Sequence, residues 1–141
     1  MASVISARTS TQDDTNAGRQ MLAARILMSL LFVISGITKV AAPGATIAFI
    51  ASTGLPFPTL GLPIALAVEF GASAALLFGF HARAAAAVMG LFCVATAIIF
   101  HAHFGDPNQL MHFFKNITMA GGFLFVVAVG PGRYSLDARR R

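Results

Sequence analysis

Four long apolar segments separated by short polar links constrain this chain more than any other feature. They cover residues 21–40, 62–80, 84–100 and 114–129. A helix rises about 1.5 Å per residue, so about 20 apolar residues cross the roughly 30 Å hydrocarbon core of a bilayer. Short links favour antiparallel neighbours. The sequence therefore predicts an all-α membrane protein, an antiparallel four-helix transmembrane bundle.

The composition supports a membrane protein and excludes several soluble classes. Of the 141 residues, 57% are apolar and 11% are charged, and the mean hydropathy is +0.77. Soluble domains carry about 25% charged residues, and a small soluble fold cannot bury so much apolar surface. The single cysteine, Cys93, excludes a disulfide within the chain and any CxxC motif. The net charge of +5 does not indicate a nucleic-acid interface, because long apolar stretches separate most of the basic residues.

Polar and turn-forming residues mark the limits of the bundle. Residues 1–19 are rich in Ser, Thr, Gln, Asp and Asn, which predicts a disordered cytoplasmic tail. The transmembrane domain covers residues 20–137, and residues 138–141 form a basic C-terminal tail. Residues 41–62 hold Pro43, Gly54, Pro56 and Pro58 around an apolar stretch. This pattern predicts a short interfacial or re-entrant helix between helices 1 and 2, because irregular backbone must avoid lipid.

The basic residues predict the orientation of the bundle. With four spans and the N-terminus inside, only Lys39 and Lys115 fall on the outer side. The inner side then holds Arg8, Arg19, Arg83, Arg133, Arg139, Arg140 and Arg141. This asymmetry follows the positive-inside rule, so we expect both termini in the cytoplasm.

Small residues recur every four positions in the second span, at Ala67, Gly71, Ala75 and Gly79. Residues four apart share a helix face, and small side chains let two helices approach closely. The pattern predicts that Gly71 lies at a helix–helix contact.

Glu69 occupies the most costly position of any ionisable residue in the chain. It falls about 10 Å below the outer end of the second span, and a carboxylate near the membrane centre costs about 2.5–3.5 kcal/mol. Lys39 and Lys115 match its depth from the outer side, and Arg25 approaches from the inner side. Three interpretations are open: a structural ion pair, a protonatable or ligand-binding site built on the same residues, and a neutral side chain that faces lipid.

Further polar side chains collect near the outer ends of the third and fourth spans, namely His101, His103, His112, Lys115 and Asn116. No HExxH or His/Cys spacing appears, so the pattern does not indicate a metal site. His112 and Asn116 are four residues apart and share a helix face. These side chains predict hydrogen bonds to a lipid head group or a quinone carbonyl. Catalytic residues stay unknown, because the sequence holds no complete catalytic apparatus.

A further set of short motifs runs in order along the chain. It comprises Arg25-Ile-Leu-Met-Ser-Leu-Leu-Phe32-Val-Ile-Ser35-Gly36-Ile-Thr-Lys39 with Pro43, Gly54-Leu55-Pro56, Glu69, Gly79-Phe-His-Ala-Arg83, Phe114-Lys115-Asn116, Gly121-Gly122 and Gly130-Pro131-Gly132-Arg133-Tyr134-Ser135-Leu136-Asp137. This ordered set resembles the DoxX family of bacterial membrane proteins over residues 20–137.

The resemblance implies a four-helix, multi-pass protein of the bacterial cytoplasmic (inner) membrane. DoxD-type relatives are subunits of a thiosulfate:quinone oxidoreductase, and some DoxX proteins are linked to membrane oxidoreductase complexes in thiol and oxidant defence. Distant relatives act as membrane chaperones or cargo receptors. Such a family therefore implies an architecture more sharply than it implies a chemistry.

Three functions agree with the sequence and the resemblance. The first is a small subunit or accessory of a membrane oxidoreductase, with a quinone site in the outer half of the bundle. There Glu69 would exchange protons, Lys39 and Lys115 would hold charge, and His101 or His112 would bond a quinone carbonyl. The second is a non-catalytic scaffold or assembly protein, and the third is a small oligomeric permease. The expected partners are the lipid bilayer, membrane or redox proteins and further copies of the chain, and not nucleic acid.

Overall fold

Five helices and one short 3₁₀ turn form the chain in the computed structural model, which describes the backbone of residues 2–140 and the side chains of residues 14–140. The elements are α1 (Ala2–Ala41), α2 (Pro43–Ser52), α3 (Pro58–Phe78), α4 (Ala82–His101), α5 (Pro107–Val129) and the turn Asp137–Arg140. Helices α1, α3, α4 and α5 are long and apolar enough to cross a membrane. No strand occurs within residues 2–140. The predicted four-helix architecture and the short helix after the first span are confirmed.

Neighbouring spans run antiparallel. Lys39, late in α1, contacts Glu69 in the middle of α3, whereas Arg25, earlier in α1, contacts Leu76 near the end of α3. We call the end of the bundle that holds both ends of the described chain the terminal end. The opposite end, which holds α2 and the link 102–106, is the distal end. The cytoplasmic location of the terminal end stays a prediction.

Two segments differ from their predicted form. Helix α5 begins at Pro107 rather than at residue 114, because Asp106 caps it and accepts a hydrogen bond from the Asn108 backbone N–H at 2.8 Å. Residues 14–19 continue α1, where their composition predicts a disordered tail. Residues 1 and 141 of the two predicted tails lie outside the described residues, as do the side chains of residues 2–13.

The core of the bundle is narrow. Its large apolar side chains include Phe32, Leu76, Met89 and Phe123, and the rings of Phe32 and Phe123 lie 5.7 Å apart. Large apolar side chains also cover the outside of the bundle, where Phe125 is 75% exposed. Soluble monomers rarely expose so extensive an apolar surface, so this surface fits contact with lipid.

The predicted helix contact at Gly71 is wrong. A Cβ added at Gly71 would meet no atom within 4 Å, whereas a Cβ at Gly79 would collide with Ser135 and Arg25. The reason is a π-helical stretch in the middle of α3, Ala67–Ala72. A π turn holds more residues than an α turn, so a four-residue repeat does not stay on one face across it.

Arg25 closes the terminal end of the bundle. Its buried guanidinium donates hydrogen bonds to the carbonyls of Leu76 at 3.2 Å and Leu77 at 3.0 Å, and to the carbonyl of Tyr134. The last carbonyls of a helix lack partners within it, and a cation there also complements the helix dipole. Arg25 therefore caps α3 and ties the C-terminal segment to it.

Asp137 caps helix α4 from the C-terminal segment. Its carboxylate oxygens accept hydrogen bonds from the backbone N–H groups of His81 at 2.8 Å and Ala82 at 2.9 Å. Burial raises the pKa of Asp137, but these hydrogen bonds and the nearby His81 and Arg140 outweigh it and hold the pKa below its ordinary value of 3.8. The cap is therefore made by the ionised carboxylate.

Candidate functional site

A cavity of about 620 Å³ lies in the distal half of the bundle. The distal turns of α1, α3, α4 and α5 form its wall together with α2 and the loop that follows it. Most of the wall is apolar, and its aromatic side chains are Phe32, Phe49, Phe57, Phe92 and Phe100. Small-molecule sites in proteins are typically apolar cavities of about 300–1,000 Å³ with a few polar groups. The cavity has the size and lining of such a site.

Helix α2 covers one side of this cavity. The ring of Phe49 stacks on that of Phe100 with centroids 5.4 Å apart, and Ile50 packs against Gly61, where a Cβ would come within 3.1 Å of it. The loop between α2 and α3 contains Phe57 at φ 56°, a left-handed conformation that costs a non-glycine residue about 1–2 kcal/mol. The contacts of Ile50 and Phe49 anchor α2 to α3 and α4, respectively.

Glu69 forms a compact polar cluster with two residues of α1. Its Oε1 lies 2.7 Å from Lys39 Nζ and accepts a hydrogen bond from Ser35 Oγ at 2.9 Å. Lys39 Nζ also donates to Ser35 Oγ at 2.7 Å. Glu69 is only 3% exposed, and all three residues line the cavity. The structure thus pairs Glu69 with Lys39 rather than with Lys115.

Sequence reasoning missed Ser35 as a site residue. Ser35 lies four positions before Lys39, so both lie on one face of α1. That spacing was visible in the sequence. The hydrogen bond to Glu69 was not, because it depends on how α1 and α3 are rotated against each other.

A second polar group lies on the α4 and α5 side of the cavity. Asn116, buried at 8% exposure, donates from Nδ2 to the His112 carbonyl at 2.9 Å and accepts from Thr96 Oγ1 at 3.4 Å. His101 Nδ1 lies 2.8 Å from Gln109 Oε1. These hydrogen bonds fix the orientation of the amide and of the imidazole ring.

Lys115 adds a positive charge to this second group. Its Nζ lies 3.1 Å from His112 Nδ1, and the ring of His112 lies 5.2 Å from that of His101, between centroids. His103 is exposed in the link after α4. Among the described residues, no cluster of three or more His, Cys, Asp or Glu side chains is arranged to hold a metal ion.

The structure separates the predicted site residues into two sets. The cavity wall holds Glu69, Lys39, His101, Lys115 and Asn116. His112 contacts Lys115 but is not part of the wall. Arg25 is bound to backbone carbonyls at the terminal end, so the prediction that it approaches Glu69 is wrong. The guanidinium instead satisfies carbonyls that a helix end leaves free.

Comparisons with known proteins agree with this architecture. The DoxX family profile matches residues 20–102. The chain is 38% identical over 117 residues to the inner membrane protein YqjF of Escherichia coli (strain K12), covering 83% of this chain and 88% of YqjF. It is 37% identical over 125 residues to the inner membrane protein YphA of the same organism, covering 84% of this chain and 89% of YphA.

A more distant match is the Surfeit locus protein 4 homolog of Schizosaccharomyces pombe (strain 972 / ATCC 24843). It is 29% identical over 77 residues, which cover 50% of this chain and 26% of that protein. No solved structure matches the chain at a significant level.

Proposed function

The chain belongs to the DoxX family and is a multi-pass inner membrane protein, and on this premise we propose that it is a small quinone-binding subunit of a membrane oxidoreductase. The observation that carries the proposal is the distal cavity, whose apolar wall bears polar groups on two sides. Family membership does not specify chemistry, which depends on the residues of the site itself.

The cavity suits a lipid-soluble ring that has polar atoms at its edge. Its volume falls within the range of small-molecule sites, and its wall includes the aromatic rings of Phe92 and Phe100, which favour contact with a flat ring. Leu60 and Ile64 belong to the wall and are also 58% and 61% exposed. The rim of the cavity therefore faces the lipid, from which a membrane-dissolved ligand arrives.

The polar residues then have distinct roles. A bound quinone would supply the capacity to take up and give back electrons and protons. On one side, Glu69 exchanges a proton with the ligand while Lys39 holds the carboxylate charge. On the other side, Lys115 and Asn116 offer hydrogen bonds to a carbonyl, whereas the neutral ring of His101 uses its N–H, at Nδ1, on Gln109 Oε1. The electron donor or acceptor is a partner protein in the same membrane.

Quinone binding by the purified protein tests this proposal. Protein extracted in a mild detergent is titrated with a 2-methyl-1,4-naphthoquinone that carries a short tail. Binding is followed by calorimetry and native mass spectrometry. Ala95→Trp fills the cavity wall, whereas Ala87→Trp adds the same ring on the exposed face of the same helix. We expect Ala95→Trp to weaken binding by at least about tenfold and Ala87→Trp to bind like the wild type.

Absence of binding by the wild type, or equal binding by the two tryptophan variants, would reject the cavity as a quinone site. The same mass spectra, together with an uptake assay in proteoliposomes, separate the other two hypotheses. A stoichiometric membrane protein without a small ligand indicates a scaffold. A homo-oligomer that takes up solute in proteoliposomes indicates a permease.

A further inference from the structure

Only one of the two carboxylate oxygens of Glu69 has hydrogen-bond partners among the described residues. Oε1 receives hydrogen bonds from both Lys39 and Ser35. Oε2 is buried and has no hydrogen-bond partner among residues 14–140. A buried acceptor without a partner is costly, and folded proteins keep few of them. Glu69 also lies on the cavity wall, beside the space that a ligand would fill.

The backbone around Glu69 gives a second observation. Glu69 lies inside the π-helical stretch Ala67–Ala72 of α3. π turns are rare, and they occur frequently at functional sites. Glu69 thus combines a buried oxygen without a partner, a π turn and a place on the cavity wall.

We propose that the free oxygen of Glu69 accepts a hydrogen bond from the ligand, and that the cavity therefore prefers the reduced, hydroxyl-bearing form of a quinone to its oxidised form. This inference rests on the quinone site proposed above. In the ion pair with Lys39, Glu69 is a carboxylate, which has acceptors and no donor. The polar groups of an oxidised quinone ring are carbonyl acceptors, whereas the reduced ring carries two hydroxyl donors.

Lys39 does not cancel this preference. Its ammonium group has three N–H donors, and two of them already reach Glu69 and Ser35. An oxidised ring that takes the third donor still leaves the second oxygen of Glu69 without a partner. Lys115 and Asn116 serve both forms equally, because a hydroxyl oxygen accepts hydrogen bonds as a carbonyl oxygen does. Glu69 is the only carboxylate among the described residues of the wall, so the two redox forms differ most there.

The test compares both redox forms of one ligand. A 2-methyl-1,4-naphthoquinone with a short tail and its dithionite-reduced form are titrated under anaerobic conditions into the wild type, Ala87→Trp and Glu69→Gln. We expect the wild type to bind the reduced form about tenfold more tightly, the effect of one hydrogen bond to a charged group. Ala87→Trp changes an exposed position of α4 outside the cavity wall and should keep the preference. Glu69→Gln replaces one acceptor by an amide donor and should abolish or invert it.

The outcomes separate this inference from the quinone site on which it rests. If the wild type binds neither form, the quinone site itself is rejected. If the wild type binds both forms equally, or the oxidised form more tightly, the preference is overturned, and this result does not depend on whether Glu69→Gln folds. A folded Glu69→Gln protein with an unchanged preference also overturns the proposal, because another residue then causes the difference in affinity between the two redox forms.

Discussion

The Lys39–Glu69 ion pair has opposing energy terms that can be worked out from its geometry. At the 2.7 Å between Nζ and Oε1, with an effective dielectric constant of about 20, the attraction is about 6 kcal/mol. Desolvation of two charges costs several kcal/mol per ion and opposes this gain. The Glu69 side chain is 3% exposed and that of Lys39 is 25% exposed, so the glutamate bears more of the cost. In the intact pair, the attraction and the cost of desolvation therefore nearly cancel. Either charge without its partner would keep its desolvation cost and lose the attraction.

Removal of one partner should be far more harmful than removal of both. Lys39→Met leaves Glu69 as an uncompensated buried charge, a change that costs about 3–5 kcal/mol in buried pairs. For a chain of this size, that loss lowers the melting temperature by about 10 °C or more. Combining Lys39→Met with Glu69→Leu removes both charges and should restore the melting temperature to near that of the wild type.

Cys93 provides the assay. It is the single cysteine of the sequence and is fully buried, so a thiol-reactive fluorophore added to detergent-solubilised protein reports unfolding on heating. Lys115→Met is the matched control, because Lys115 is exposed and makes no ion pair with Glu69. If Lys39→Met melts at the wild-type temperature, or the double variant melts no higher than the single one, the energetic reasoning is refuted.

The glycines of α3 should differ in thermal melts: Gly79→Ala should be strongly destabilising, because a Cβ there collides with its neighbours at φ +67°, while Gly71→Ala should have no effect. Equal effects would contradict the packing of α3. The folded-state pKa of Asp137 lies below 3.8, so its cap stabilises the protein above pH 3.8 and is lost as the pH falls further. Asp137→Asn should remove this acid-dependent drop in melting temperature, and its persistence would contradict the cap. Reporter fusions after Arg83 should read cytoplasmic and those near Pro107 external, and a cytoplasmic reading near Pro107 would refute the orientation.

The architecture could be predicted from the sequence because a bilayer leaves few choices. Only helices and closed barrels satisfy the backbone in lipid, so apolar runs of about 20 residues become spanning helices. The same reasoning placed Glu69 near the membrane centre and required a partner for it. The turn-forming residues between the first two spans likewise predicted the helix that the structure shows at Pro43–Ser52.

The tertiary structure alone decided which residues meet. The choice of Lys39 over Lys115 as the partner of Glu69 depends on the rotation of α1 against α3, and the π turn in α3 changes that rotation without any clear mark in the residue pattern. The same turn moved Gly71 off the packed face. The position of a residue along a span fixes its depth in the membrane, because the rise per residue is nearly constant. It does not fix the direction in which a side chain points, because that depends on helix rotation and local winding, which packing against neighbouring helices determines.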